Sequence, residues 1–175
     1  MVLALGLAVA FPQPQRMGPY QIKAGFIYNF AISTKWPAED PETHAPLILG
    51  ILGDDPSAGE FPALHDAKVN SNRNLSVKIC KDVSEAKECH LLFISSSQKS
   101  NMATIVDELK DLPVLTITDA DVSARARGII HFLQEKDKVR FEINVSGAER
   151  AKLKISSQVL KVAKLRRDEP GGKKE

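Results

Sequence analysis

The sequence predicts an α/β domain of three layers: a mixed, mostly parallel sheet with one antiparallel hairpin, flanked by helices. Three observations carry that prediction. Short apolar runs at Leu47 to Leu52, His90 to Ser95 and Val114 to Ile117 read as buried strands. Between the second and third, Met102, Ile105, Val106 and Leu109 fall at helical spacing in SSQKSNMATIVDELKDL. The period then changes to two, because GIIHFLQEKDKVRFEINV alternates on either side of the polar Glu135-Lys136-Asp137-Lys138, the signature of a hairpin. Strands that alternate with helices before a hairpin give a mixed sheet covered on its faces.

The first element is KAGFIYNFAISTKWP, Lys23 to Pro37. On a helix Ile22, Phe26 and Phe30 line one side, and Ala24, Ile27, Tyr28, Ala31 and Ile32 spread over most of the rest. A helix apolar nearly all round is buried, crosses a membrane or meets a partner, and crossing needs about 20 apolar residues. This one is too short, and Trp36-Pro37 ends it. PETHAP is a loop, and the strand Leu47 to Leu52 stops at Gly53-Asp54-Asp55-Pro56. SAGEFPALHDA is expected as a short helix, Asn70 to Asn74 as a polar turn, and Leu75, Val77 and Ile79 as a half-exposed strand. Ser84 to Glu88 offers one helical turn, and Pro113 closes the helix around Met102. DADVSARARG is a loop or a short helical turn. After the hairpin, SGAERAKLKISSQVLKVAKL carries apolar residues at helical spacing and predicts one long terminal helix.

Length and composition bound the function. The 175 residues are 43% hydrophobic, enough for one domain with a substantial core. A net charge of +2, spread along the chain, gives no electrostatic footprint for nucleic acid. The basic run Lys161 to Arg167 reads as a solvated helix end. MVLALGLAVA, ending in Ala8-Val9-Ala10 ahead of FPQPQ, resembles the back of a signal peptide without its charged start. The expectation is an exported, soluble protein with no membrane insertion: a leader and linker over 1–19, a single domain over 20–166 and a polar tail over 167–175. In an oxidising compartment Cys80 and Cys89 either close a small loop worth about 2.5 to 3 kcal/mol or stay as two buried thiols. Zinc is not expected, since neither cysteine belongs to a CxxC pair and His90 directly follows Cys89.

Catalytic chemistry is sought at the carboxyl ends of the strands, where Asp54, Asp55, Ser95 and Asp119 are candidates to line one crevice. Gly53-Asp54-Asp55-Pro56 is more economically a turn that caps the next helix, and the serines at 95–97 lack a base legible in the sequence. No GxGxxG, P-loop, HExxH or GxSxG stands in the chain, and His44, His65, His90 and His131 lack the spacing of metal ligands. A binding or regulatory role, without metal or cofactor, is therefore expected rather than an enzyme. A small-ligand binding module using the crevice is the second reading, and a serine hydrolase the last.

KAGFIYNFAISTKWP, LGDDP, CHLLFISSS, PVLTITD, GIIHF, VRFEIN and LKISSQVLKVAK occur in this order, and together they resemble the YfiR-like family of periplasmic regulators. The resemblance runs from about Tyr20 to Leu165. It implies an exported α/β protein, dimeric, that represses an inner-membrane diguanylate cyclase by binding the cyclase's periplasmic sensor domain. Cyclic di-GMP output and biofilm formation would be held down until envelope or redox stress releases the repressor. Two positions depart from the pattern. Gly50 stands where members often carry a cysteine that pairs with the match of Cys89, so Cys80 is expected to substitute. Parallel flanking strands would, however, hold the two beyond the roughly 7 Å Cα separation that a disulfide tolerates. Arg127-Gly128 stands where members often have Gly-Gly, which is expected to stiffen the turn. The aromatic helix is divided accordingly: Phe26, Ile27 and Phe30 are expected in the core, Tyr28 and Trp36 against a second copy or a partner, with Phe30 also a candidate for that interface.

Overall fold

The computed structural model describes residues 17–37, 43–57, 59–136 and 138–168. The apolar start expected to be a leader, and most of the expected tail, lie outside them. A seven-stranded sheet runs in the order β3-β2-β4-β5-β6-β7-β9, formed by Leu75–Cys80, Leu47–Leu52, Leu91–Ile94, Leu115–Thr118, Ile130–Glu135, Lys138–Asn144 and Lys164–Arg166. All neighbours are parallel except β6 and β7, which form the hairpin with Glu135 opposite Lys138. The fold is therefore the three-layer α/β domain with a mixed, mostly parallel sheet that the periodicities predict.

The alternation of side chains builds the layers. Leu47, Leu49 and Ile51 of β2, Leu91 and Phe93 of β4, and Leu115 and Ile117 of β5 share one face and pack with α1 (Pro19–Ser33). The residues between them, Leu52, Leu92 and Ile94, face the other way and pack with α2 (Val83–Ala86) and α3 (Met102–Leu109). Each strand is thus buried on both sides, which is why these runs carry no polar alternation. On α1, Ala24, Ile27, Phe30 and Ala31 are buried, and Ile27 and Phe30 alone contribute about 1.5 to 3 kcal/mol each. Phe30 meets Phe132 and Phe141 of the hairpin, with centroids 6.2 and 5.0 Å away.

The terminal segment departs from its expectation. Instead of one helix it forms α4 (Val145–Arg150), β8 (Lys154–Ile155), α5 (Ser157–Val162) and β9. Lys152 sits at φ +57°, where Leu153 N–H bonds Ala148 O at 2.9 Å and Lys152 N–H bonds Glu149 O at 3.0 Å. That is a left-handed C-terminal cap made without the glycine that would have announced it. Beyond it, Lys154 and Ile155 pair antiparallel with β1 (Thr34–Lys35), and Ser156 caps α5 through its hydroxyl. The expected helix in SAGEFPALHDA is only a 3₁₀ turn at Pro62–Leu64.

Candidate functional site

Three places concentrate chemistry. In the first, Cys80 ends β3 and Cys89 lies two residues before β4, the strands on either side of β2. Parallel strands alone would separate them. Cys89, however, belongs to the connection that leaves α2 and crosses back over the sheet, with its N–H bonded to Ala86 O at 3.1 Å. Both sulfurs converge over Gly50: a Cβ there would lie 2.6 Å from Cys89 Sγ and 2.8 Å from Cys80 Sγ. The missing side chain of Gly50 is what makes the room. The thiols are free and buried, with their sulfurs 3.7 Å apart. The hydrogen bond between them lowers the Cys80 thiol, with the Lys78 ammonium adding to the effect, and raises Cys89 together with burial. The hydrogen bond and Lys78 thus favour negative charge on Cys80 over Cys89.

The second place is the carboxyl end of the sheet. Asp54, Asp55, Ser95 and Asp119 do follow neighbouring strands, and the side chains of Asp55, Ser95 and Asp119 are already engaged. Asp54 donates its N–H to Ser97 Oγ at 2.9 Å, and Ser97 in turn donates its hydroxyl to Ser95 Oγ at 3.3 Å. Asp55 Oδ1 accepts the Ser57 N–H and hydroxyl at 2.8 and 2.6 Å, as a turn cap does. Asp119 accepts Lys23 Nζ at 2.8 Å and the Tyr20 hydroxyl at 3.1 Å, and its side chain is only 4% exposed. The start of α1 thus lies over Asp119. Burial first, and then the Asp119 charge, push Tyr20 up to about 12, so it stays a neutral donor. At the Asp119 corner of the expected crevice, the protein's own Lys23 and Tyr20 take the carboxylate.

Of the aromatic candidates for a partner surface, Phe30 and Trp36 are corrected to the core, at 1% and 7% exposure. Trp36 is turned inward because its Nε1 donates to His90 O at 3.1 Å and its ring stands edge-on to His90. Tyr28 is half-buried and donates its hydroxyl to Lys68 O at 2.5 Å.

The third place was not legible as a site. Across β5, β6 and β7 a buried polar row runs Thr118, His131, Glu142, each opposite the next. Thr118 Oγ1 lies 2.9 Å from His131 Nδ1, and burial, helped by Arg127, pushes His131 down to about 4. Glu142 Oε1 receives Arg127 Nη1 and Arg166 Nε, both at 3.1 Å. Arg127 is thus more than a stiffener of its turn, and Gly128 is needed beside it because a Cβ would lie 2.6 Å from Thr116 O. The signal in the sequence was an acid at an inward position of β7 together with the run Lys161 to Arg167.

Among the described residues no helix is long and apolar enough to cross a membrane, and no three metal-ligating side chains cluster. A sheet covered by helices on both faces, with a thiol pair buried on one of them, defines a three-layer α/β domain. The chain belongs to the YfiR/HmsC-like family, whose model matches residues 20–164. That family is one of periplasmic regulators acting in diguanylate cyclase signalling, and its role is regulatory rather than catalytic. No curated protein matches the chain.

Proposed function

We propose that this protein is exported to the periplasm and binds the periplasmic sensor domain of an inner-membrane diguanylate cyclase, repressing cyclic di-GMP synthesis and so limiting biofilm formation. The match across residues 20–164 is the observation that carries this reading. The mature unit is the domain over 20–166, freed of the leader over 1–19 and followed by the polar tail over 167–175, and it acts as a homodimer. Its contact surface includes the outer side of α1, where Tyr28 and Ile32 lie one turn apart and Ile32 is 44% exposed.

Cys80 and Cys89 make the repressor redox-responsive. Their sulfurs need to close from 3.7 Å to about 2 Å to bond. In that step Cys80 thiolate attacks the disulfide of a periplasmic oxidant, and Cys89 then displaces the oxidant's thiolate, so that two protons and two electrons leave the pair. The bond ties the edge strand β3 to the entry of β4 and stabilises the repressing form.

Cellular cyclic di-GMP, measured with the gene deleted and then restored with an intact leader, tests the role. The level rises on deletion and falls on restoration; an unchanged level overturns the reading. Thiol labelling of the unreduced protein tests the bond, since two labelled cysteines in the folded, exported protein would refute it.

A further inference from the structure

Arginines gather where the polar row reaches the sheet's edge. An open cavity of about 600 Å³ lies between α3, the 3₁₀ turn Ala124–Ala126, the junction of β7 with α4, and the residues at and after β9. Lys110, Arg125, Arg127, Arg150, Arg166 and Arg167 line it. The acids they meet are fewer, and two of them are shared. Glu142 serves both Arg127 and Arg166; Asp168 serves Arg150 at 2.6 Å and Arg166 at 3.0 Å. Asp107 pairs with Lys110 at 2.9 Å and Glu149 with Arg167 at 3.6 Å, while Arg125 has no ion-pair partner among the described residues.

The walls are also held in place. Glu142 is 4% exposed in the middle of a paired strand, so the two guanidiniums it grips are fixed from behind. Asn144 caps α4 through its Oδ1 and donates its Nδ2 to Asp168 at 3.0 Å, which fixes the second carboxylate. A guanidinium carries five N–H donors, and these pairings use one or two of each. Arg127 Nε and Arg166 Nη2 are covered and without an acceptor, and a buried donor left unmet is costly enough to call for one. Both belong to side chains that line the cavity. Excess positive charge, prearranged forks and unmet donors together suit a group with several oxygens and more than one negative charge. The volume fits a small molecule.

We propose that this cavity is a binding site for a small phosphorylated anion, with the phosphoryl group held between Arg127, Arg166 and the rim residues Arg125 and Arg167. The site stands independently of the regulatory reading. It lies on the face of the sheet opposite α1, so occupancy would be read by a surface other than the Tyr28 and Ile32 stripe.

Inorganic pyrophosphate, titrated calorimetrically into the full-length mature protein at fixed ionic strength, is the test. Saturable one-to-one binding is expected, at least tenfold weaker in an Arg125→Gln, Arg167→Gln double variant. The same affinity as wild type is expected in a Lys68→Gln, Lys99→Gln control of equal charge. Both pairs change exposed residues, so folding is preserved, and far-ultraviolet circular dichroism verifies it. A parallel arm with phosphatidylglycerol vesicles separates the sources of the phosphoryl group: binding to pyrophosphate assigns a free ligand, and vesicle binding lost in the rim variant alone assigns a lipid headgroup. No saturable binding in either arm overturns the proposal. Equal weakening in rim and control variants does so too, since it reduces the cavity to general charge attraction.

Discussion

Gly50 shows how one absent side chain organises a site. Replacing it with alanine sets a methyl group at 2.6 and 2.8 Å from the two sulfurs, inside their contact radii. Gly50→Ala is expected to cost about 1 to 3 kcal/mol, the range for overpacking a filled core. Adding Cys89→Ala removes one of the clashing sulfurs, so the double variant should regain part of that loss in urea unfolding. Additive losses would show that the crowding lies elsewhere. His131 gives a second test at this scale. Held near 4 in the folded chain, against an ordinary value of 6.5, it takes up its proton later than in the unfolded chain as pH falls. Between these values the unfolded state binds more protons, so stability is full above about 6.5 and declines towards 4, by up to about 3 kcal/mol. His131→Gln, which keeps a hydrogen-bonding side chain, is expected to flatten the slope of unfolding free energy across that window.

At the scale of elements, the fate of the terminal segment turns on Lys152. A left-handed conformation is costly for any residue with a Cβ, so Lys152→Gly is expected to stabilise the protein by about 1 kcal/mol. In a continuous helix the same change would destabilise by about 1 kcal/mol, so the sign alone distinguishes the two, read from the urea midpoint. The seat of α1 on the sheet is the other element-level device. Lys23 is the cation beside Asp119, and both are largely buried. Lys23→Met leaves that carboxylate with only the Tyr20 hydroxyl, and a loss of about 3 kcal/mol or more is expected in thermal or urea unfolding. A near-neutral result would show that the Lys23–Asp119 pair does not hold α1 on the sheet.

For the whole molecule, the division of the sheet into two faces separates possible activities in space. The side under α1 presents Tyr28 and Ile32 outward; the side under α2 and α3 carries the thiol pair, and the arginine cavity lies beside α3. Ile32→Glu is expected to dissociate a homodimer in sedimentation while leaving the unfolding midpoint within about 0.5 kcal/mol, as a surface change should. Loss of fold along with association would place Ile32 in the core instead.

Periodicity carried most of the architecture. The apolar runs at 47–52, 90–95 and 114–117 read as strands covered on both faces, and the alternation around Lys136 as a hairpin, because side-chain period follows from backbone geometry; the strands form at 47–52, 91–94 and 115–118. The same logic misled at the C-terminus: helical spacing persists through Ala151-Lys152-Leu153, and the break there is a backbone conformation that lysine does not announce. Trp36 was legible as apolar but not as inward-facing, and Phe30 was read as core with an interface role kept open, since burial depends on what packs against a residue rather than on its own spacing. The sites were least legible of all. The sequence determined which groups exist: two thiols, an inward acid on β7 and a basic run near the end. Tertiary structure decided which of them meet, by bringing Cys80 to Cys89 over Gly50, and Arg127 to Arg166 through Glu142. Those pairs join residues 9 and 39 positions apart, and only the crossing of α2 over the sheet and the parallel return of β9 beside β7 close those distances.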